Sequence, residues 1–510
     1  MDEEQRSSVT YYVKLQIVIS ERGLCRNGVL YAGGTLLDCI LRVYSLSLFF
    51  VIMECFHLYI GQIKKTSRNF RLVFCFIRGY PSTKSNKYRE VTGTQKTGTE
   101  ETGTPERRLF MKRNVLKFGG TSVSSLGRIK DIADYLKVRV NEGEQLIVVV
   151  SAMGKTTDAL LANVRSITNS PNEQDLAVLL TTGEQQTISY LSIILNDLGV
   201  SSKPLTGYQA GIETVGHHLK SKISKINTKL FEQLFDTYDV LIVAGFQGFN
   251  TENEITTLGR GGSDTTAVAL AAAHSCPCEI YTDVAGVYST DPRIFPQAKR
   301  LQVVSYEEMM EMSALGSGVL VSRSVEIAKN YNIPIYIGKT LSEEKGTWVM
   351  STIEMLEKKA VTGVAIDKDM IHVTLNYPVF DTHLLDELFI QLEQEEVNVD
   401  MISQITNNEG LQLSFTMKDT EEHQIQKIFS HLQQYYPELY FKIENQFVKV
   451  SVIGSGMRDM PGVASKVFRT LIESNIPFHQ VTTSEISISY VVDVKNGEKA
   501  VQLLCSRFEL

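Results

Sequence analysis

Glycine-rich turns recur after short apolar strands in the middle of the chain, and each brings polar groups able to hold an anion. Val115–Phe118 reads as a strand running into Gly119-Gly120-Thr121-Ser122, with a helical pattern from Ser124 to about Val140. A glycine turn lets backbone N–H groups approach a phosphate, and the N-terminus of a following helix favours negative charge. Lys117 adds a fixed cation. Leu146–Val150 leads to Ser151-Ala152-Met153-Gly154-Lys155-Thr156-Thr157, and Val240–Ala244 is a third apolar strand. Gly259-Arg260-Gly261-Gly262-Ser263-Asp264 opens a helical Thr265–Ala273. Glu279–Asp283 is a further strand, ending in Thr282-Asp283, with Tyr288 and Asp291-Pro292-Arg293 close behind.

Several chemistries are excluded by spacing. Gly154-Lys155-Thr156 mimics the end of a P-loop, but the first glycine of that motif would fall at Val149, and the third glycine of a dinucleotide fingerprint would fall at Asp264. Cys276 and Cys278 form a lone C-x-C without the second pair that a zinc site needs, and read as ordinary buried thiols. His217 and His218 lie in a polar stretch and read as solvated or hydrogen-bonded. No Ser-His-Asp elbow or flavin signature is present. The elements that must carry these turns alternate strand and helix. This predicts an α/β fold with a mostly parallel sheet and a ligand crevice at the C-terminal strand ends.

Five motifs in this order, KFGGTS (Lys117–Ser122), VVSAMG (Val149–Gly154), TTGE (Thr181–Glu184), GRGGSD (Gly259–Asp264) and YTDVAGVYSTDPR (Tyr281–Arg293), resemble aspartate kinases of the amino acid kinase superfamily. The resemblance covers roughly residues 113–510. It implies an amino acid kinase domain over 113–345 that transfers the ATP γ-phosphoryl group to the β-carboxylate of L-aspartate, giving 4-phospho-L-aspartate. That is the first step toward lysine and diaminopimelate, threonine and methionine. An aspartate carboxylate has a reference pKa near 3.9, so no general base is needed, and catalysis rests on positioning and positive charge. By resemblance Lys117 neutralises the transferring oxygens, and Lys117, Phe118, Gly119, Gly120, Thr282, Asp283, Tyr288 and Arg293 bind ATP. Thr157, Glu184, Arg260, Gly261, Gly262 and Ser263 hold the substrate, Glu184 through its ammonium and Arg260 through its α-carboxylate. Asp264 has two readings, as a group orienting Lys117 or the metal–phosphate network, or as a helix N-cap. Mg2+ is expected to arrive with ATP, since no dedicated protein metal cage is visible. One departure is that Gly318 and Val321 stand where many relatives have the lysine and histidine of G-A-K-V-L-H.

From residue 360 the units shorten into two β-α-β-β-α patterns, read as ferredoxin-like ACT units over 360–436 and 445–510. The second lacks a final strand, which a segment near Ala360–Ile366 can supply, nesting the first unit inside the second. The resemblance marks Met457, Asp459, Pro461, Gly462, Val463, Thr482 and Thr483 as the effector loop, with lysine or threonine as the feedback ligand. It also implies a homodimer through ACT units. Tyr377–Thr382 departs from the D-x-P-G pattern in the first unit. Two rival readings are another carboxylate kinase of this fold, opposed by the ACT pair and the TTSEIS run, and a catalytically weak amino-acid sensor, supported only by Gly318.

Composition sets the frame. The 510 residues are 43% hydrophobic and 21% charged, ordinary for a globular chain. Residues 1–113 hold 18 Lys and Arg against 10 Asp and Glu, and the remainder holds 33 against 48. An acidic body argues against a nucleic-acid partner. In the basic part, Val43–Met53 is apolar but only 11 residues long, whereas a membrane span needs about 20, so no membrane anchor is expected. A Thr-Gly repeat over 92–106 is expected to be flexible. Residues 1–112 read as an unassigned extension with Met111 as a potential start. The body reads as a cytoplasmic, monofunctional enzyme ending at Leu510.

Overall fold

The computed structural model describes residues 112–316, 318–351, 360–407, 410–458 and 460–510. The expectations for residues 1–111 and for Asp459 lie outside the described residues. In chain order the first part runs β1 (Lys112–Phe118), α1 (Leu126–Asn141), β2 (Glu144–Val150), α2 (Thr156–Ile167), α3 (Glu173–Asp197), β3 (Ser202–Leu205), β4 (Ile212–Val215) and β5 (Lys222–Ile226). It continues through α4 (Thr228–Phe235), β6 (Val240–Ala244), β7 (Gln247–Phe249), β8 (Ile255–Thr257), α5 (Gly262–His274), β9 (Cys278–Thr282) and β10 (Val303–Val304). It closes with α6 (Tyr306–Ala314), α7 (Ser322–Tyr331), β11 (Ile335–Lys339) and β12 (Thr347–Val349).

Eight of these strands form one sheet in the order β10-β12-β11-β9-β1-β2-β6-β3, parallel from β11 to β3. Its central strands are near-continuous apolar runs because both faces are covered, as parallel sheets require. Val115, Ile147 and Val243 pack under α4, α5, α6 and α7, while Leu116, Phe118 and Val148 pack under α1 and α3. The sheet therefore lies between two helix layers. β1 is the switch point, since β2 lies on one side of it and β9, reached much later in the chain, on the other. Ligands in open α/β sheets bind in the crevice at such a point. A second small sheet, β5-β4-β7-β8, joins two strands that precede β6 to two that follow it.

The remainder holds β13 (Gly363–Asp367), β14 (Met370–Tyr377), α8 (Thr382–Gln394), β15 (Val399–Asn407), β16 (Gly410–Lys418), α9 (Glu422–Tyr435) and β17 (Tyr440–Glu444). It ends with β18 (Phe447–Ile453), α10 (Val463–Glu473), β19 (Phe478–Thr483), β20 (Ser487–Asp493) and α11 (Val494–Phe508). Two four-stranded sheets result, β15-β16-β14-β17 and β13-β18-β20-β19. Strand β13 pairs antiparallel with β18, Gly363 opposite Ile453, and supplies the fourth strand of the later unit. The earlier unit runs to Glu444, beyond residue 436, because β17 completes its sheet against β14. Ala365 and Ile453 from the later sheet join the core under α6, so the two parts share apolar packing. Among the described residues no helix is long and apolar enough to cross a membrane.

Candidate active site

Side chains alternate along a strand, so Lys117 and Phe118 leave β1 on opposite faces. Phe118 is 1% exposed and stacks on Tyr281 with ring centroids 5.2 Å apart. Its ring is core and does not line the cavity described below. Lys117 points to the α5 face, where its Nζ lies 2.5 Å from Asp264 Oδ1. Asp264 is the third residue of α5, and Gly261 occupies the N-cap. Of the two readings of Asp264, the ion pair with Lys117 is the one its position fits. The N-terminus of α5 leaves the first N–H groups without intrahelical partners and brings its positive dipole end to the same place.

The turn before α5 is tight. Gly261 has φ +68°, and a Cβ there would meet Val321 Cγ2 at 1.9 Å. Only glycine fits, because Val321 packs directly against this turn. From the other side, Gly183 lets α3 approach, since a Cβ there would lie 2.7 Å from Ala152 Cβ. That approach seats Glu184, whose Oε1 accepts the Ala152 N–H at 3.1 Å. Its buried Oε2 has no hydrogen-bond partner. Burial pushes the Glu184 carboxyl up to about 7, partly offset by the Ala152 N–H.

These groups surround a cavity of about 280 Å³ that also takes in Gly120, Thr157, Arg260, Gly261, Gly262 and Ser263. Arg260 is exposed at its mouth. The cavity has a cationic end at Lys117 and the α5 N-terminus, an anionic end at Glu184, and a guanidinium beside it. An amino acid carrying a second carboxylate matches that polarity. Glu184 titrates here with a clear sign. Its folded pKa lies above its ordinary value, so the empty site favours the neutral acid, and ionising it as pH rises through about 7 costs stability. An ammonium ligand needs the ionised form. The Michaelis constant for an ammonium-bearing substrate is therefore expected to fall as pH rises from 6 to 8. Glu184→Gln should flatten that profile and raise the constant about 10–100-fold, the worth of a charged hydrogen bond. An unchanged slope in steady-state kinetics would remove Glu184 from this role.

Other expected residues stand elsewhere. Gly119 differs from the expectation of a free amide, because its N–H donates to Tyr281 O at 3.3 Å. Helix α1 begins at Leu126, capped by Ser125, too far on for its N-terminus to follow the glycine pair directly. Thr282, Asp283, Tyr288 and Arg293 do not line the cavity. Thr282 ends β9, which pairs with β1 up to Phe118 opposite Tyr281, and Asp283 follows it. Arg293 grips Asp291 with three contacts of 2.6–3.0 Å, and its neighbour Ile294 is buried in the core of the later ACT-like unit. Among the described residues no group of three His, Cys, Asp or Glu side chains can hold a metal ion.

Sequence reasoning missed two groups on α6. Glu308 is 5% exposed. Its Oε1 accepts from Thr362 Oγ1 at 2.6 Å and from the Ser455 N–H at 3.0 Å, and its Oε2 accepts from the Ser305 N–H and hydroxyl. One turn on, Glu311 accepts a short hydrogen bond from the Ser487 hydroxyl. Ser455 belongs to the loop expected to sense effector, and the Gly454 N–H ties that loop to Ile486 O in the TTSEIS run. Within the expected effector set, Val463 is core, Met457 is half-buried, and Pro461 and Gly462 are exposed ahead of α10. Thr482 and Thr483 end β19.

The amino acid kinase family profile matches residues 112–339, and an ACT domain profile matches residues 450–508. Aspartokinase 2 of Bacillus subtilis (strain 168) is 41% identical over 400 residues, 78% of this chain and 97% of that protein. The crystal structure of E. coli aspartokinase III with aspartate and ADP, in its R-state, superposes with a TM-score of 0.67 at 22% identity, covering 78% of this chain and 100% of that one. The T-state of that enzyme with lysine and aspartate gives 0.61 at 22% identity, over 78% and 99%.

Proposed function

The chain belongs to the aspartate kinase family, and on that premise we propose that it phosphorylates the β-carboxylate of L-aspartate with ATP. One observation carries the reading: a single cavity sets the Lys117–Asp264 pair and the α5 N-terminus against the unpartnered Oε2 of Glu184. Glu184 takes the substrate ammonium and Arg260 its α-carboxylate, with Thr157 and Ser263 as hydrogen-bonding neighbours. The β-carboxylate then points toward Lys117. Its oxygen forms a bond to the γ-phosphorus, the bond from that phosphorus to the β–γ bridging oxygen breaks, and the electron pair leaves with ADP. No proton moves, because the attacking carboxylate is already ionised. The barrier is the approach of an anion to a polyanion, and Lys117 with the α5 amides lowers it. Mg2+ accompanying ATP supplies further neutralisation. Thr282 and Asp283, at the end of β9, lie on the nucleotide side.

The product is 4-phospho-L-aspartate, which opens the route to lysine and diaminopimelate, threonine and methionine. Lysine, or failing it threonine, is the proposed feedback ligand. The contacts of α6 support this regulation, because Glu308 and Glu311 hold the effector loop and its neighbouring turn while Val321, the N-cap of α7 at the end of the loop leaving α6, packs on Gly261. A homodimer through the ACT units is supported by the edge strand β15, where Ile402 and Ile405 are 48% and 52% exposed; a dimer mass in ultracentrifugation checks it. A coupled assay with ATP, Mg2+ and L-aspartate, repeated with lysine and with threonine, tests the function. Phosphoryl transfer dependent on aspartate is expected, and clear lysine binding without transfer would instead identify a sensor.

A further inference from the structure

Few cations near the site are uncommitted. Lys117 is paired with Asp264 at 2.5 Å and Arg293 with Asp291 at 2.6 Å, and Arg260 sits on the substrate loop. Gly318 brings no charge on the loop between α6 and α7. A triphosphate arm over the end of β9 still needs positive charge to offset its own.

Lys339 is the last residue of β11, the strand beyond β9. It pairs in parallel register with Thr282, and Ile337 and Lys117 are both level with Ile280. Val115, Ile280 and Ile337 belong to one core cluster, so by alternation Lys117 and Lys339 leave the same face of the sheet. Their Cα atoms are separated by two strand spacings and one two-residue step, about 12 Å from standard strand dimensions. The end of the strand is held firmly: the Thr340 N–H and hydroxyl both donate to Thr282 O, at 2.9 and 3.0 Å, and Ser122 Oγ lies 2.6 Å from Thr340 Oγ1. Lys339 itself is exposed, and no ion pair holds it among the described residues.

We infer that Lys339 is a nucleotide-binding residue, supplying to the phosphates of ATP the cation that Gly318 does not. The inference rests on the proposed reading of Thr282–Asp283 as the nucleotide side. A lysine on a rigid strand end, one strand past that segment, meets the polyphosphate from the side opposite Lys117. The α6–α7 loop packs on the same face through Leu315 and Leu320, so a lysine placed at Gly318 would stand on that face too. A Cβ on Gly318 would meet nothing within 4 Å, although the residue sits at φ +64°.

The test is steady-state kinetics of the full chain with ATP varied at saturating aspartate, alongside Asp283→Ala as a marker of the nucleotide side. Lys339→Met is expected to raise the Michaelis constant for ATP about tenfold, a loss of about 1.4 kcal/mol. It should leave that for aspartate unchanged, and Lys339→Arg should retain most of the affinity. Adding Gly318→Lys to Lys339→Met should recover ATP affinity, whereas a merely structural role for Lys339 would not be rescued from another loop. If Asp283→Ala weakens ATP and Lys339→Met does not, Lys339 is overturned while the nucleotide side stands. If neither variant affects ATP, both readings fall.

Discussion

Lys117→Met is expected to lower kcat about 10³-fold, and Lys117→Met with Asp264→Asn is expected to restore the stability lost by the single change without restoring activity. The side chains of this pair are 10% and 12% exposed. Removing one partner leaves a nearly buried carboxylate uncompensated, a cost of about 3–5 kcal/mol. Asp264 also sits in the first turn of α5, whose dipole recovers only part of that cost. The catalytic loss has a separate origin. Removing one preorganised donor from a developing oxyanion costs roughly 10²–10³ in rate, and among the described residues lining the cavity the other side-chain cation is Arg260, on the turn before α5. Thermal melts together with rates separate the two effects. A double variant that regains both stability and turnover would show that Lys117 serves the fold and not the transfer.

Glu308→Ala is expected to abolish inhibition by whichever of lysine and threonine inhibits the parent chain, and to cost about 3 kcal/mol of stability. Its carboxylate accepts four hydrogen bonds, two within α6's own cap and two from the regulatory side. Bonds to a buried charged group contribute about 1.5–3 kcal/mol each and are not additive. Burial alone would push this carboxyl up, but the donors from Thr362, Ser455 and Ser305 outweigh it and hold it below its ordinary value. That stabilisation is therefore present above pH 4.5 and is lost as pH falls through the lowered value. Glu308→Gln keeps the shape but replaces one acceptor oxygen with a donor facing N–H and hydroxyl groups, so it should weaken inhibition at least tenfold with little loss of basal rate. Unaltered inhibition in both variants would exclude α6 as the coupling element.

The legible parts of this molecule were those written locally. The runs LIVVV and VLIVA could only be strands buried on both faces, and the glycine turns behind them marked the ligand edge. The missing strand of the later ACT-like unit was legible for the same reason, because β18–α11 left an open place that β13 fills. Within KFGGTS, contiguity concealed the alternation that sends Lys117 into the site and Phe118 into the core. Arg293 entered the expected nucleotide set through its motif, and that motif did not show that Asp291, two residues away, holds its guanidinium in the ligand-free chain. Glu308 was illegible for another reason. Ser305 and Glu308 are a local capping box, which accounts for the glutamate fully and hides its partners 54 and 147 residues further on. Lys339 looked like any lysine closing an apolar strand until the register set it beside Thr282.

The position of β13 also constrains how this protein is made. Its hydrogen-bonding partner β18 begins about 80 residues later in the chain, and a ribosome adding 5–20 residues per second needs roughly 4–16 s to deliver it. During that interval the kinase sheet is complete and the earlier ACT-like unit is forming, yet β13 has an open edge of the kind that recruits stray strands. The seal between catalysis and regulation is thus among the last structures the nascent chain can form, and a message truncated after β17 yields a kinase with that edge permanently open.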